Sequence, residues 1–339
     1  MHTIRTSCRS LFVLLVFAAA AVAAESAELT GTRPGVEDQP LTMHGTIFLL
    51  DVSKIDGANQ SFTGDVFVAL RWRDERLATD ANGDRRLDLD QVWNPRIQIV
   101  NQQFVRKTFD DVVDVSPNGT VTFRQRYNGT FASPMDLRDF PLDRHQFQIQ
   151  VVAPGYGPDE ILFVPTTEGL TDFRRQQLTV PDFDIGPFEV ATAPFQLTPQ
   201  GQVLAGIAGT FSGSRKLGYY IGKAFVSVAI IVFMSWVVFW ISPQNIGPRL
   251  SVSVTSMLTL IAYRFLLGQS LPPVSYLTRL DYFLLGCTLL VFAALVEVTA
   301  TGAVASADHG STAQSVNSVS RWVFPVAFVL LTAASFWKV

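Results

Sequence analysis

Residues 217–241, LGYYIGKAFVSVAIIVFMSWVVFWI, form one long apolar run that carries a single charge, Lys223, near its start. Pro243 follows and closes the run. At about 1.5 Å per residue, roughly 20 helical residues cross the hydrocarbon layer of a bilayer. This stretch therefore predicts a membrane-spanning helix, and the rest of the chain divides on either side of it.

Three further apolar runs lie toward the C-terminus. Together with the first they predict helices at about 217–241, 248–268, 280–301 and 321–339. The connection at 299–320 is small and polar, which is typical of a flexible linker. Residues 216–339 are thus predicted to form a four-helix transmembrane domain.

Residues 25–215 have a different pattern, with short alternating runs between turn residues. Residues 65–72, 120–127 and 146–151 read as strands, and the last alternates strictly between polar and apolar residues. Asn118-Gly119 between two such runs predicts a hairpin. Many short strands at this spacing predict an extracellular β-sandwich.

The N-terminus reads as a signal peptide at residues 1–24, with Arg5 and Arg9 before a short apolar stretch and Ala21-Val22-Ala23 at its end. An uncleaved anchor is the alternative. Cleavage would place the β-domain on the periplasmic or extracellular side of a multi-pass protein of the cell (inner) membrane. Cys287 would then be the one thiol of the mature chain, so no internal disulfide forms.

Composition argues against two other classes of protein. A net charge of −3 without a basic stretch disfavours a nucleic-acid partner. The sequence shows no Cys/His nucleophile pair, metal cluster or phosphate loop, so an enzyme is not predicted.

One face of the second predicted membrane helix is ordered from polar to apolar. Its members recur at steps of four, three, four and three: Ser251, Thr255, Leu258, Ala262 and Phe265. Several copies of such a helix would give hydroxyl rings near one mouth of a pore and an apolar constriction in the middle. A helix–helix interface built on small hydroxyl residues explains the same spacing, and the helix alone leaves both interpretations open.

Several motifs resemble those of the pentameric ligand-gated ion channels, the Cys-loop receptor superfamily. The chain carries Phe140-Pro141-Leu142-Asp143, where that family has Phe-Pro-x-Asp, and Trp72-Arg73-Asp74-Glu75-Arg76-Leu77, where it has Trp-x-Asp-x-Arg-Leu. Trp93-Asn94-Pro95, the segment 235–240 and the segment 271–278 also resemble it, in family order. Ser133 and Phe147 stand where animal members have the two cysteines, so the chain resembles the bacterial branch that lacks this disulfide.

The resemblance implies a ten-strand sandwich, four membrane helices and a homopentamer around a pore lined by the second helix. The five residues of the polar-to-apolar face match the pore-lining positions, and Leu258 matches the central hydrophobic gate. Ser227 stands where many members have a proline in the first membrane helix, so the local bend is expected to differ.

The inner mouth is expected at Gly247-Pro248-Arg249, which lacks the glutamate ring of cation-selective members. A ring of Arg249 side chains would favour anions or weak selectivity. The alternative is that Arg249 packs away from the lumen.

Coupling between the two domains is expected, by the same resemblance, at Arg215, just before the first membrane helix. Asp143 is its expected partner and Asp56, in a strand turn, a second one. Pro272 and Tyr276 would form the stiff linker on which this junction acts. An ordinary surface ion pair is the alternative.

Ligand contacts at subunit interfaces are expected from aromatic residues at family-like positions: Phe67, Phe104, Tyr156 and Phe195. Such rings could bind a cationic amine, although each alone also suits a core. The resemblance implies a small molecule or a proton as the ligand, and inorganic ions and membrane lipid as the other partners.

A modulatory calcium ion is the only cofactor predicted. Residues 80–91 resemble an EF-hand loop, with oxygen ligands from Asp80, Asn82, Asp84 and Asp88. Arg85 and Gln91 depart from that pattern, and a solvated acidic loop is the alternative. The function predicted overall is an extracellular ligand-gated channel subunit, and the alternative is a membrane-anchored sensor that does not conduct.

Overall fold

The computed structural model of the chain describes residues 30–36, 39–166, 178–268, 274–307 and 310–337. Within them, thirteen strands precede four helices that are long and apolar enough to cross a membrane. The predicted fold class, an extracellular β-sandwich followed by four membrane helices, is confirmed. The predicted signal peptide at 1–24 lies outside the described residues.

The larger sheet contains seven strands in the order β3-β6-β7-β2-β1-β9, with β5 also paired to β7. The bounds of these strands are β1 Leu41–Asp56, β2 Ser61–Arg73, β3 Arg85–Asp88, β5 Gln102–Lys107, β6 Val112–Val115, β7 Thr120–Ala132 and β9 Ile161–Pro165. Among the strands that the structure describes, only β1 and β9 pair in parallel.

The smaller sheet has the order β10-β13-β8-β4, and a two-stranded ribbon, β11 with β12, extends beside it. Its members are β4 Gln98–Ile99, β8 Arg144–Val152, β10 Phe183–Thr192 and β13 Gly206–Arg215, and the ribbon is β11 Phe195–Gln196 with β12 Val203–Leu204. Short strands such as β4 and the ribbon bring the count above the ten that the family resemblance implies.

Four phenylalanines hold the two sheets together. Phe62 and Phe131 of the larger sheet stack at 5.3 Å, and Phe147 and Phe211 of the smaller sheet stack at 5.0 Å. Phe62 meets the second pair edge-on at 5.5 and 5.4 Å. All four side chains are buried between the sheets. The apolar face of the alternating strand β8, which carries Phe147, therefore points into the core.

The hairpin predicted at Asn118-Gly119 joins β6 to β7. Gly119 has a φ of +81°, and a Cβ there would lie 2.4 Å from the carbonyl oxygen of Asp74. Only glycine fits this turn without strain.

The first membrane helix, α1, is irregular. It runs through a short turn Gly218–Tyr220, a π-helical turn Ile221–Phe225, the helix Val226–Trp236 and a 3-10 turn Val237–Trp240. Tyr263 of the next helix donates a hydrogen bond to the carbonyl of Lys223 inside the π-helical turn. The irregularity of α1 is therefore a π-turn that ends two residues before Ser227 and involves no proline.

The remaining helices are α2 Ile246–Gly268, α3 Arg279–Ser306 and α4 Gly310–Phe336. The predicted flexible linker at 299–320 is wrong over most of its length, since α3 and α4 continue through it. Its hydroxyl residues bond back to carbonyls one turn earlier, as Thr301 does to Glu297 and Ser318 to Gln314. The small polar side chains of this segment therefore find hydrogen-bond acceptors on the backbone of their own helix.

Candidate functional site

The five residues predicted to line a pore lie on an exposed face of α2. Ser251, Thr255, Leu258, Ala262 and Phe265 are all exposed in the subunit, with Leu258 63% and Phe265 73% accessible. The buried residues of α2 are Arg249, Ser253, Ser256 and Leu260, which pack against the other helices of the subunit. The helix thus has one face for its own bundle and one that the bundle leaves uncovered.

Two threonine hydroxyls on this side of the helix bond within α2 itself. Thr255 donates to the carbonyl of Ser251 at 2.8 Å, and Thr259 donates to that of Thr255 at 2.7 Å. Ser253 and Ser256 are the hydroxyl residues that serve the packed interface. The helix–helix interpretation therefore fits the buried serines, and within the subunit it does not account for Ser251 and Thr255.

Arg249 does not lie on the uncovered face of α2. Its side chain is fully buried, and the guanidinium donates to Thr301, Glu297 and Asn317. The predicted ring of Arg249 at the inner mouth is therefore wrong, because the side chain packs inside the helix bundle, in line with the alternative. Only Gly247 and Pro248 of that segment are exposed.

The junction between the domains is a buried charge cluster. Arg215, the last residue of β13, donates from Nε to Oδ1 of Asp143 at 2.8 Å and from Nη2 to Oδ2 at 2.9 Å. His145 Nε2 lies 2.6 Å from the same Oδ2. Sequence reasoning missed His145, although residues two apart on a strand share a face and the position follows Asp143 by two.

Aromatic rings enclose this ion pair. The guanidinium carbon of Arg215 lies 4.5 Å from the ring centre of Phe183, 4.8 Å from that of Phe140 and 5.9 Å from that of Tyr220. Burial by itself would raise the pKa of Asp143, but hydrogen bonds from His145 and Arg215 outweigh it and lower the pKa to about 2. The carboxylate therefore stays ionised at neutral pH.

The loop that carries Asp143 also rests on the start of α3. Leu137 N–H donates to the hydroxyl of Tyr276 at 2.9 Å. Arg279 donates to Asp139 at 2.6 Å, and its backbone N–H donates to the carbonyl of Arg138 at 3.0 Å. One loop thus contacts both the entry to α1 and the segment before α3. Pro272, predicted to belong to this linker, lies outside the described residues.

Asp56 does not join this cluster. Its carboxylate accepts hydrogen bonds from Lys54, Ala58 and Asn59 in the turn between β1 and β2. The bond from Lys54 is the main reason that the pKa of Asp56 falls to about 2. This carboxylate has its hydrogen-bond donors within the turn, so the predicted contact with Arg215 is wrong.

Two of the four predicted ligand residues lie at one edge of the sandwich. The backbone of Tyr156 accepts from Ala205, directly beside the ribbon in which Phe195 pairs with Leu204. The Tyr156 hydroxyl accepts from Nε1 of Trp93 at 3.1 Å, which fixes the tyrosine ring. Phe195 itself is half-buried.

The other two lie on the larger sheet. Phe67 contacts Phe48 and Phe109, with ring centres 6.2 Å away in both cases. Phe104 projects from β5 with 83% of its surface exposed. None of the four lines the cavity of about 460 Å³ that opens between Trp72, Arg96 and Tyr127. Within one subunit the four residues therefore lie in two separate regions, Tyr156 and Phe195 in one and Phe67 and Phe104 in the other.

The predicted calcium loop is wrong. Residues Arg85–Asp88 form β3, so Asp84 and Asp88 are about 13 Å apart along an extended chain. Within the described residues, which include all of 80–91, no three His, Cys, Asp or Glu side chains gather as a metal site. The acidic segment, with Asp80 and Asn82, is a solvated connection.

An extracellular β-sandwich, a buried ionic junction and a membrane helix with one uncovered hydroxyl-to-apolar face define the subunit of a ligand-gated ion channel. Residues 30–198 match the neurotransmitter-gated ion-channel ligand binding domain, and residues 228–307 match the transmembrane region of the same channels. The chain belongs to this family, so conduction is supported over a non-conducting sensor, and the family is one of channels rather than enzymes.

Two relatives are similar to this chain over most of its length. A proton-gated ion channel of Gloeobacter violaceus is 27% identical over 309 residues, which cover 89% of this chain and 84% of the relative. A γ-aminobutyric acid receptor subunit beta-4 of Gallus gallus is 28% identical over 276 residues, which cover 78% of this chain. The chain spans 56% of the length of that chicken subunit.

Proposed function

We propose that five copies of this chain surround a pore lined by the exposed face of α2, and that an agonist bound between subunits opens it. The observation that carries this proposal is the two-sided α2, whose packed face holds Arg249 and Ser253 while Ser251, Thr255 and Leu258 stay uncovered. In a symmetric ring, uncovered faces of this kind meet at the axis.

Leu258 is the proposed gate. It lies in the middle of α2 with 63% of its surface exposed, between the hydroxyls of the inner half and Ala262 and Phe265 of the outer half. Five leucines at one level can close a pore by expelling water. The most exposed membrane helix, α4, has Ala313, Asn317 and Ser320 as its buried residues among those described, so its remaining surface is proposed to face lipid.

The proposed agonist site joins two surfaces of neighbouring subunits. Tyr156 and Phe195 would supply one side, and Phe67 from the larger sheet of the next copy would supply the other. This division follows from their separation within one subunit. Phe104 is also a candidate from the second surface.

The names of the relatives suggest two agonists, the proton and γ-aminobutyric acid. A cationic amine suits aromatic contacts, because cations bind to the faces of such rings. A proton would act instead on titratable carboxylates and histidines of the β-domain.

Currents from the purified protein in a planar bilayer test this proposal, with pH lowered stepwise and a panel of amines that includes γ-aminobutyric acid. The proposal expects reversible stepwise currents with at least one of these agonists, and a native mass of five subunits. A different stoichiometry, or a correctly assembled pentamer that stays silent both as wild type and as Leu258→Ser, would overturn it.

A further inference from the structure

Arg249 is anchored at the inner end of α2, one turn after the helix begins. Its Nη1 donates to Oγ1 of Thr301 at 3.0 Å, and its Nη2 donates to Oε2 of Glu297 at 3.2 Å and to Oδ1 of Asn317 at 2.7 Å. The side chain is 0% exposed, and Glu297 is its ion-pair partner. A permanent cation is thus held inside the bundle by one carboxylate.

The same network reaches the other helices. Asn317 of α4 donates from Nδ2 to the carbonyl of Phe239, at the end of α1, at 2.7 Å. Arg321, one turn further along α4, donates to that carbonyl at 2.7 Å as well. The guanidinium of Arg249 therefore connects the inner ends of all four helices.

Two polar atoms in this cluster have no hydrogen-bond partner within the described residues: Nε of Arg249 and Oε1 of Glu297. The cluster is therefore only partly satisfied by its own side chains, and the Glu297 carboxylate is what compensates the charge of Arg249. Removing that carboxylate would leave an uncompensated cation inside the membrane.

An arginine whose charge is not compensated inside the membrane extends its guanidinium group toward the nearest water. For Arg249 this is the inner mouth, where Gly247 and Pro248 are exposed and a Cβ at Gly247 would meet nothing within 4 Å. We propose that Glu297 is a positioning residue for ion selectivity, which keeps the charge of Arg249 out of the inner mouth. This inference rests on the proposed function, since it requires α2 to line the pore.

Reversal potentials in a sodium chloride dilution gradient test the role of Glu297. Glu297→Gln should move the reversal potential toward that of chloride. One kT of added positive potential at the mouth multiplies the anion-to-cation ratio roughly sevenfold, which is the size of change in relative permeability expected. In Glu297→Gln with Arg249→Gln no charge remains to be released, so the wild-type reversal potential should return.

Glu75→Gln is the matched control, because Glu75 is an exposed glutamate of the β-domain. An unmoved reversal potential in Glu297→Gln, or a shift that persists in the double variant, would overturn the inference. If Glu297→Gln fails to assemble, Arg249→Gln alone is the test. It should keep the wild-type reversal potential, and a shift of that potential toward the value for sodium would contradict the inference. A silent wild-type pentamer would instead overturn the proposed function itself.

Discussion

The ion pair between Arg215 and Asp143 gives the sharpest test of the junction. Asp143→Asn keeps the shape of the side chain and removes its charge. The side chains of Asp143 and Arg215 are 1% and 8% exposed, so the variant leaves a buried cation without its counter-ion. Breaking such a pair costs about 3–5 kcal/mol.

This cost should appear in thermal unfolding of the purified protein. At about 2–4 °C per kcal/mol for a domain of this size, Asp143→Asn should lower Tm by roughly 10 °C. Asp136→Asn is the matched control, because Asp136 pairs with Arg138 in the same loop and both are well exposed. Its effect should stay below about 1 kcal/mol.

A double-mutant cycle with Arg215→Gln separates the pair from its surroundings. Combining Arg215→Gln with Asp143→Asn should recover more than about 1.5 kcal/mol of the summed losses, because the two groups touch. Gating should be impaired in each single variant while pentamers still assemble. Additive losses within about 0.5 kcal/mol would refute a direct energetic link between the two residues.

Three further predictions concern the junction and the agonist site. Tyr276→Phe removes the acceptor of the Leu137 N–H, so stability measured by thermal unfolding should fall by about 1–2 kcal/mol, and an unchanged Tm would contradict this. Because the pKa of Asp143 is lowered, its carboxylate contributes stability that is present above the ordinary value of 3.8 and is lost as pH falls toward about 2. Asp143→Asn should therefore make Tm less dependent on pH in that window, and an unaltered pH profile of Tm would count against this prediction. Tyr156→Ala should raise the half-activating concentration of an amine agonist by about threefold or more in current recordings. The control is Leu197→Ala, at an exposed leucine, and an equal effect of the two variants would show that Tyr156 does not contact the agonist.

The membrane architecture follows from the sequence because it depends on local quantities. Run length predicts the four helices, and the four-three spacing predicts which face of α2 is shared by Ser251 and Leu258. The pair between Arg215 and Asp143 follows from their motifs. These features require no knowledge of which distant segment packs where.

The predictions from the sequence are wrong where contacts between distant segments determine the structure. Arg249 is held by residues 48 and 68 positions away, and nothing local to Gly247-Pro248-Arg249 indicates Glu297 or Asn317. The acidic residues near Asp84 match a loop pattern, yet pairing of β3 with β6 extends them. A mid-helix carboxylate such as Glu297 in an apolar run is itself a signal, because it needs a partner inside the membrane.

Conduction through α2 is tested most directly by comparing Leu258→Ser with Leu289→Ser in bilayers. The two leucines are 63% and 61% exposed in the subunit, but Leu289 lies on α3, away from the proposed pore face. Leu258→Ser should conduct without added agonist, because a ring of serines stays hydrated, while Leu289→Ser should behave as the wild type. Equal behaviour of the two assembled variants would contradict the assignment of α2 as the lining of the pore.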